Sequence, residues 1–297
     1  MNFKYSKVCC VFLISFFMTI VLYAEQLRLM TFNYQESVNI PFALNSEQQK
    51  KNKENPIKRE LATALLKDYK PDIIAFQEPH LGDLEFFKEK LGNYAWIGKP
   101  VIPLAKQNKL KVAATLGKAG SDYNAIFYNK NKFNLLQQGT FWLNETMKEG
   151  EPSAWTGASG VRRYFHIRAC TWGQFQEKST KQKFWVFNTH LSLDAMVANR
   201  ELELIKTIIA QKSGSEPVFV VGDWNKPRPE VVLGEGFYDT RNILAKKEAS
   251  IDHIFLKNIP SKNVRAYKVI DYTGPYTKNN IRPSDHRPIY ADVFLAK

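Results

Sequence analysis

Pro217–Pro229, PVFVVGDWNKPRP, is the stretch on which the reading of this chain turns. Five apolar residues, Pro217 to Val221, run without a polar break. A run of that length suits a strand buried on both faces, because alternate residues point to opposite sides. Gly-Asp-Trp-Asn closes the run, and the prolines that follow cannot continue a ladder. Asp223 and Asn225 are then expected at a sheet rim, on one side of a rigid element. One brings a charge or a base, the other an amide that both donates and accepts.

Other apolar runs end in the same manner. LRLMTFN stops at Asn33, DIIAFQE at Glu78 and FWVFNTH at His190. IDHIFL opens with Asp252, and PSDHRPIYADVFL carries Asp285 and His286 ahead of its apolar residues. Helical spacing separates several of them. PIKRELATALLKDYK places Ile57, Leu61, Ala64 and Leu65 on one face, with Pro56 in the first turn. DAMVANRELELIKTIIAQK does so with Val197, Leu204, Ile205 and Ile208, and Asp194 is the expected cap. From about residue 120 to 190 the pattern is of strands alone. Strands alternating with helices, mixed with hairpins, predict an α/β sandwich of two central sheets with helices outside.

The 297 residues suffice for one large core, and no linker, repeat or low-complexity tract divides them. The first residues read as an export leader. MNFKYSK carries two lysines, 16 uncharged residues follow, and Ala24 precedes Glu25. We expect a signal peptide over residues 1–24, cleaved after Ala24, with residues 25–297 as one domain in a secreted or periplasmic protein. An uncleaved membrane anchor is the rival reading. Cleavage leaves 40 basic against 29 acidic residues, a surplus of +11, and a single cysteine, Cys170. A disulfide-stapled scaffold is thereby excluded, and the charge favours polyanions such as nucleic acid or an anionic membrane surface. Nothing in the chain points to an obligate protein partner.

TFN (31–33), QE (77–78), NTH (188–190), GDWN (222–225) and SDH (284–286) together resemble the endonuclease/exonuclease/phosphatase superfamily. The similarity runs over about residues 27–295, and SDYNAIFY and GTFWLNET look like its exported bacterial branch. It implies a DNase I-like, four-layer α/β sandwich with two mixed β-sheets flanked by helices. It also implies roles for individual residues. Glu78 and Asp285, with Asn33 directly or through water, would hold Mg²⁺, with Mn²⁺ or Ca²⁺ as alternatives. His190 and Asn225 would donate to phosphate oxygens. Asp223 would position the attacking water or assist the leaving group, and His286, oriented by Asp252, would complete the acid–base set. Asn124, Arg162 and Arg163 are the candidates for substrate contact. Trp224 stands where a smaller aromatic is commoner, and YQES is an unusual continuation after Asn33. His80, His166 and His253 are expected on the surface or in supporting positions.

Physical chemistry asks for the same set: a cation, donors for the phosphate oxygens and a base for water. No serine or cysteine nucleophile motif is present, so direct attack by water is expected. The catalytic set does not choose among phosphoesters. An endonuclease acting on DNA is the first expectation; Trp142 and Trp155 are candidates for stacking on bases, although a place in the core is the commoner one for such aromatics. A phosphatase or phosphodiesterase acting on lipid headgroups or sugar phosphates is the alternative. A toxin-type or binding subunit on the same scaffold is the third.

Overall fold

The structure is a computed structural model that describes residues 26–34, 56–103, 122–156, 162–164, 166–227, 233–244, 246, 250–278 and 281–295. For residues 154–156 and 162–164 it describes the backbone alone. The expected leader, the loop over 35–55 and the side chains of Trp155, Arg162 and Arg163 lie outside the described residues.

Alternation of side chains explains the apolar runs. In strand β1 (Gln26–Asn33), Leu27 and Leu29 face a neighbouring sheet, while Met30 and Phe32 face helices. Helices α1 (Pro56–Tyr69) and α2 (Leu81–Leu91) supply that cover with Ala62, Leu65, Leu66, Leu84 and Phe87. Between and after them lie β2 (Ile73–Gln77), β3 (Tyr94–Ile97) and β4 (Asn124–Asn129). Then come β5 (Phe133–Trp142), a small hairpin of β6 (Ala154–Thr156) and β7 (Arg162–Tyr164), β8 (Ala169–Glu177) and β9 (Lys183–His190). Helix α3 (Ala195–Ser213) leads to β10 (Val218–Asp223). Strand β11 (Phe237–Asp239), the single turn α4 (Thr240–Ile243), β12 (Asp252–Lys257), β13 (Val264–Val269) and β14 (Ile289–Phe294) complete the order.

Two six-stranded sheets result, in the orders β13-β14-β1-β2-β4-β3 and β11-β12-β10-β9-β8-β5. Both are mixed, since β1 runs parallel to β2 and β9 parallel to β10 while the other pairs are antiparallel. The opening stretch takes its place here. Phe219 and Val221 pack between the sheets, and Val218 and Val220 pack under α3 with Leu202 and Ile205. Helices, sheet, sheet and helix make the four-layer sandwich expected of the sequence.

Helix faces differ in detail from the sequence pattern. The buried stripe of α1 is Lys58, Leu61, Ala62, Leu65 and Leu66, and Ala64 is exposed. Lys58 is kept inside by donating to the Tyr34 carbonyl at 3.0 Å and lying over the Tyr34 ring. In α3 the buried side chains include Ala198, Glu201 and Ile209, with Leu204 only half-buried. Asp194 caps α3 as expected, accepting from the amides of Met196 and Val197.

The interface between the sheets is apolar except at one end. Asn188 of β9, fully buried, donates to the carbonyls of Phe76 (2.8 Å) and Ala125 (2.9 Å) in the opposite sheet. Its own oxygen accepts from Gln77 at 2.6 Å, and Gln77 in turn accepts from Thr31. Every hydrogen-bonding atom of the Asn188 amide is thus matched across the gap, which is what makes its burial tolerable.

Asn188→Leu removes those donors while keeping the volume. It is expected to leave two carbonyls and the Gln77 amide short of partners and to cost about 3–5 kcal/mol. Urea unfolding of the variant checks this, with Asn134→Ala on an exposed position expected to stay within about 0.5 kcal/mol of the parent.

Candidate active site

The apolar runs all stop at one edge of the sandwich, and strand pairing brings their ends together. Asn33 is level with Gln77, so Glu78 emerges just beyond it. Asp223 is level with His190 on one side and with Asp252 on the other. Two backbone features shape this edge. Gly222 has φ +138°, and a Cβ placed there would lie 1.9 Å from the Thr189 carbonyl oxygen, so only glycine lets β10 approach β9 this closely. Glu78 (φ +65°) and Asn225 (φ +50°) take left-handed conformations that turn the chain out of the ladder. Asn225 is therefore not on the strand with Asp223, as the spacing suggested. It is folded back over it, with its amide N–H on Asp223 Oδ1 (2.9 Å) and its side chain donating to Leu191 O (2.8 Å).

Asp223 is the hub. Its Oδ2 accepts from Asn33 Nδ2 at 2.9 Å, and lies 3.6 Å from His190 Nε2 and 3.7 Å from His286 Nε2. The same Asn33 nitrogen reaches Glu78 Oε1 at 3.1 Å, and His190 Nδ1 is 3.5 Å from that oxygen. His286 Nδ1 meets Asp252 Oδ2 at 2.9 Å, as the sequence led us to expect. Ser284 joins the SDH turn to β1 by donating to Asn33 O at 2.6 Å and accepting from the His286 amide.

These contacts divide the titrating groups into two kinds. His190 is held well below the usual histidine range by its burial, and next by the positive charges of Arg168 and His286. It is therefore a neutral imidazole at pH 7. Burial alone would lower His286 as well. The Asp252 hydrogen bond, with the charges of Asp252, Asp223 and Asp285, overrides it and pushes His286 up to about 9. Burial, then the charge of Asp252, raises Asp223 to about 6 against the pull of His286 and its hydrogen bonds. Glu78 is raised too, chiefly by burial.

The donor set fits a hard divalent cation. Ligand atoms of Glu78, His190 and Asp223 lie within 4.8 Å of one another. Two carboxylates there, Asp223 buried and Glu78 half-buried, share one amide, an accumulation of negative charge that a cation relieves. His190 Nδ1 is buried without a hydrogen bond. Asp285 does not belong to this group. It is exposed, on the wall of a cleft of about 370 Å³ with Asp252, His286 and Arg287.

Asn124, in register with Gln77, is buried beside Glu78. It donates to Ala169 O at 2.7 Å and leaves its Oδ1 unpaired. One cation that acts on the site is a residue that sequence reading missed. Arg168, just before β8, acts electrostatically on Glu78, on His190 and on Glu201 of α3, and its Nε has no hydrogen bond. The available signal was its place immediately before Ala169, whose strand pairs with the NTH strand. Of the two readings of Trp142 the structure takes the core one, and the histidines fall in the expected surface or supporting positions. Trp142 is buried and donates to Val101 O at 2.8 Å, so it offers no face to a base. His253 is fully buried, bonded at its two ring nitrogens to Asp239 (2.9 Å) and to Lys226 O (2.7 Å), and clamps the chain that follows GDWN. His80 is buried at the start of α2, while His166 is exposed as expected. Trp224 is buried and stacked on Phe255 at 4.7 Å, away from the reacting groups.

A family model described as the Endonuclease/Exonuclease/phosphatase family matches residues 31–286. The chain belongs to this family. Its members are hydrolases of phosphoric esters that typically depend on a divalent metal, and this chain is such an enzyme. Solved structures share the fold. A Bacteroides vulgatus family protein superposes with TM-score 0.69 at 22% identity, over 92% of this chain and 100% of that one. A Bacteroides thetaiotaomicron mannosyl-6-phosphatase gives 0.68 at 22%, over 90% and 100%. Uncharacterized protein L388 of Acanthamoeba polyphaga mimivirus is 24% identical over 261 residues, 78% of this chain and 89% of its own length.

The His286–Asp252 pair gives the fold a pH limit. Because the pKa of His286 is raised, the pair's stabilisation is complete below about 6.5 and is lost as pH rises through about 9. Tm is expected to fall across that window in the parent and to fall less in Asp252→Asn. Equal slopes in thermal unfolding of the two would place the titration elsewhere.

Proposed function

We propose that this chain is a Mg²⁺-dependent endonuclease that cleaves DNA phosphodiesters by direct attack of water. One observation carries the chemistry. Asp223, a carboxylate poised near 6, lies between a histidine kept neutral and a histidine kept charged. At neutral pH Asp223 can take a proton from water, and His286 can give one to the departing oxygen. The water oxygen forms a bond to phosphorus as the opposite P–O bond breaks. Its proton goes to Asp223, and the leaving alkoxide takes the proton from His286. His190 Nε2, Asn225 and Arg168 would hold the phosphate oxygens as their charge grows.

Glu78 and Asn33, with Asp223 beside them, are the residues that would hold the ion. Bound there, a divalent cation supplies charge neutralisation at the phosphate and at the leaving oxygen.

The choice of DNA rests on charge. The full chain carries +13, and phosphate contacts dominate nucleic-acid affinity. Export of the mature protein, read from its leader, would bring it to nucleic acid outside the cell.

Plasmid nicking with Mg²⁺ and with chelator, beside phosphoinositide and sugar-phosphate panels, tests the reading. Nicking is expected to require the metal, to weaken steeply with salt and to fall about 10²–10⁴-fold in Asp223→Ala and in His286→Ala. Release of phosphate from a monoester with the plasmid left intact would replace the endonuclease with a phosphatase.

A further inference from the structure

Glu201 lies on the inner face of α3, fully buried, in a region otherwise packed with Ala198, Leu202 and Ile205. A carboxyl in such surroundings demands a reason. Its Oε2 accepts from the Ser192 amide at 2.8 Å, and its Oε1 from the Ser192 hydroxyl at 2.7 Å. Oε1 also lies 2.7 Å from Ser153 Oγ, which is itself 2.6 Å from the carbonyl oxygen of Leu143.

The proton count at Ser153 is the informative feature. Its hydroxyl has one hydrogen but two oxygens at hydrogen-bonding distance. The Leu143 carbonyl can only accept, so the hydrogen belongs there. If it went to Glu201 instead, the Leu143 and Ser153 oxygens would face each other at 2.6 Å with no proton between them. Both short contacts are satisfied only when Oε1 carries a hydrogen and donates it to Ser153. Burial favours the neutral form and outweighs what favours the ionised one, first the hydrogen bonds to the carboxyl, led by those from Ser192, and last the charge of Arg168.

We infer that Glu201 is a positioning residue, an uncharged carboxylic acid that holds in place the turn on which His190 and Asn225 depend. Ser192, fixed on both its amide and its hydroxyl, sets the Leu191 peptide. Leu191 in turn donates to Asp223 O at 2.9 Å and accepts from the Asn225 side chain at 2.8 Å. The placement of both phosphate donors thus runs through one carboxyl that touches neither substrate nor cation. The inference rests on the proposed hydrolysis only for its kinetic readout.

Glutamine comes near to a neutral acid here: Nε2, in place of the acid's Oε1, donates to Ser153 and to the Ser192 hydroxyl, which must turn to accept, while the amide oxygen accepts from the Ser192 N–H; alanine reproduces nothing. With bis(p-nitrophenyl) phosphate and Mg²⁺ as the probe, Glu201→Gln is expected to keep kcat within about twofold. Glu201→Ala is expected to lose roughly 10- to 10²-fold in kcat with little change in KM, as a displaced donor should. Two further readouts need no turnover. The infrared difference between the parent and Glu201→Gln should contain the carbonyl stretch of a protonated carboxyl. The parent should also lose stability relative to Glu201→Gln as pH rises from about 4.3 through the raised pKa of the folded state. A parent that cleaves no phosphodiester would count against the proposed function, leaving these two readouts to decide Glu201. A carboxylate band in their place, or a glutamine variant as impaired as alanine, would overturn the inference.

Discussion

The structure depends on the amide clasp between its sheets. Two twisted sheets with greasy inner faces can slide over one another at little cost, because dispersion and apolar burial have no direction. Asn188 supplies the direction. Its two N–H groups must find Phe76 and Ala125 and its oxygen must find Gln77, and any offset leaves several buried polar atoms unpaired. Glu78 follows Gln77 in one sheet, and His190 is two residues beyond Asn188 in the other. A clasp one residue deep in the core therefore sets the distance between the residues that face the cation and those that face the phosphate.

Given that frame, the chemistry follows from contrasts in environment. Two histidines flank Asp223 at nearly equal distance, yet one is stripped of charge and the other is fixed in the charged state. The difference lies in depth of burial and in one hydrogen bond. His286 has Asp252 behind its far nitrogen, whereas the far nitrogen of His190 faces Glu78 at 3.5 Å without a hydrogen bond, with positive charge from Arg168 close by. Paired titratable groups pushed in opposite directions are a means of having a proton acceptor and a proton donor at one pH.

Much of this could be read from the chain, for a definable reason. A strand covered on both sides has to be apolar until it leaves the core, so polar residues at the ends of Leu27–Asn33, Lys183–His190 and Val218–Asp223 mark the rim without any knowledge of pairing. What stayed hidden depends on contacts remote in sequence. Arg168 looks like any basic residue ahead of a strand until β8 is seen beside β9. Trp142 reads as either a core or a stacking aromatic in the chain, until its indole is found on the Val101 carbonyl. Asn225 appeared to share a face with Asp223 because the spacing assumed a strand through Asn225, whereas β10 ends two residues sooner, at Asp223. Ala64 and Leu204 satisfied a helical period but not the face that burial selects, since periodicity gives the spacing of a stripe and not its angle to the sheet.

Gly222 also bears on how such a chain can change over generations. A single base change in a glycine codon yields alanine, serine, cysteine, valine, arginine, tryptophan, aspartate or glutamate, and each adds the atom that Thr189 O has no room for. Every one-step route away from this residue therefore begins with two strands forced apart beneath Asp223 and His190. Loops and surface charges around this edge can drift toward a new substrate, while position 222 has no neighbouring sequence to drift to.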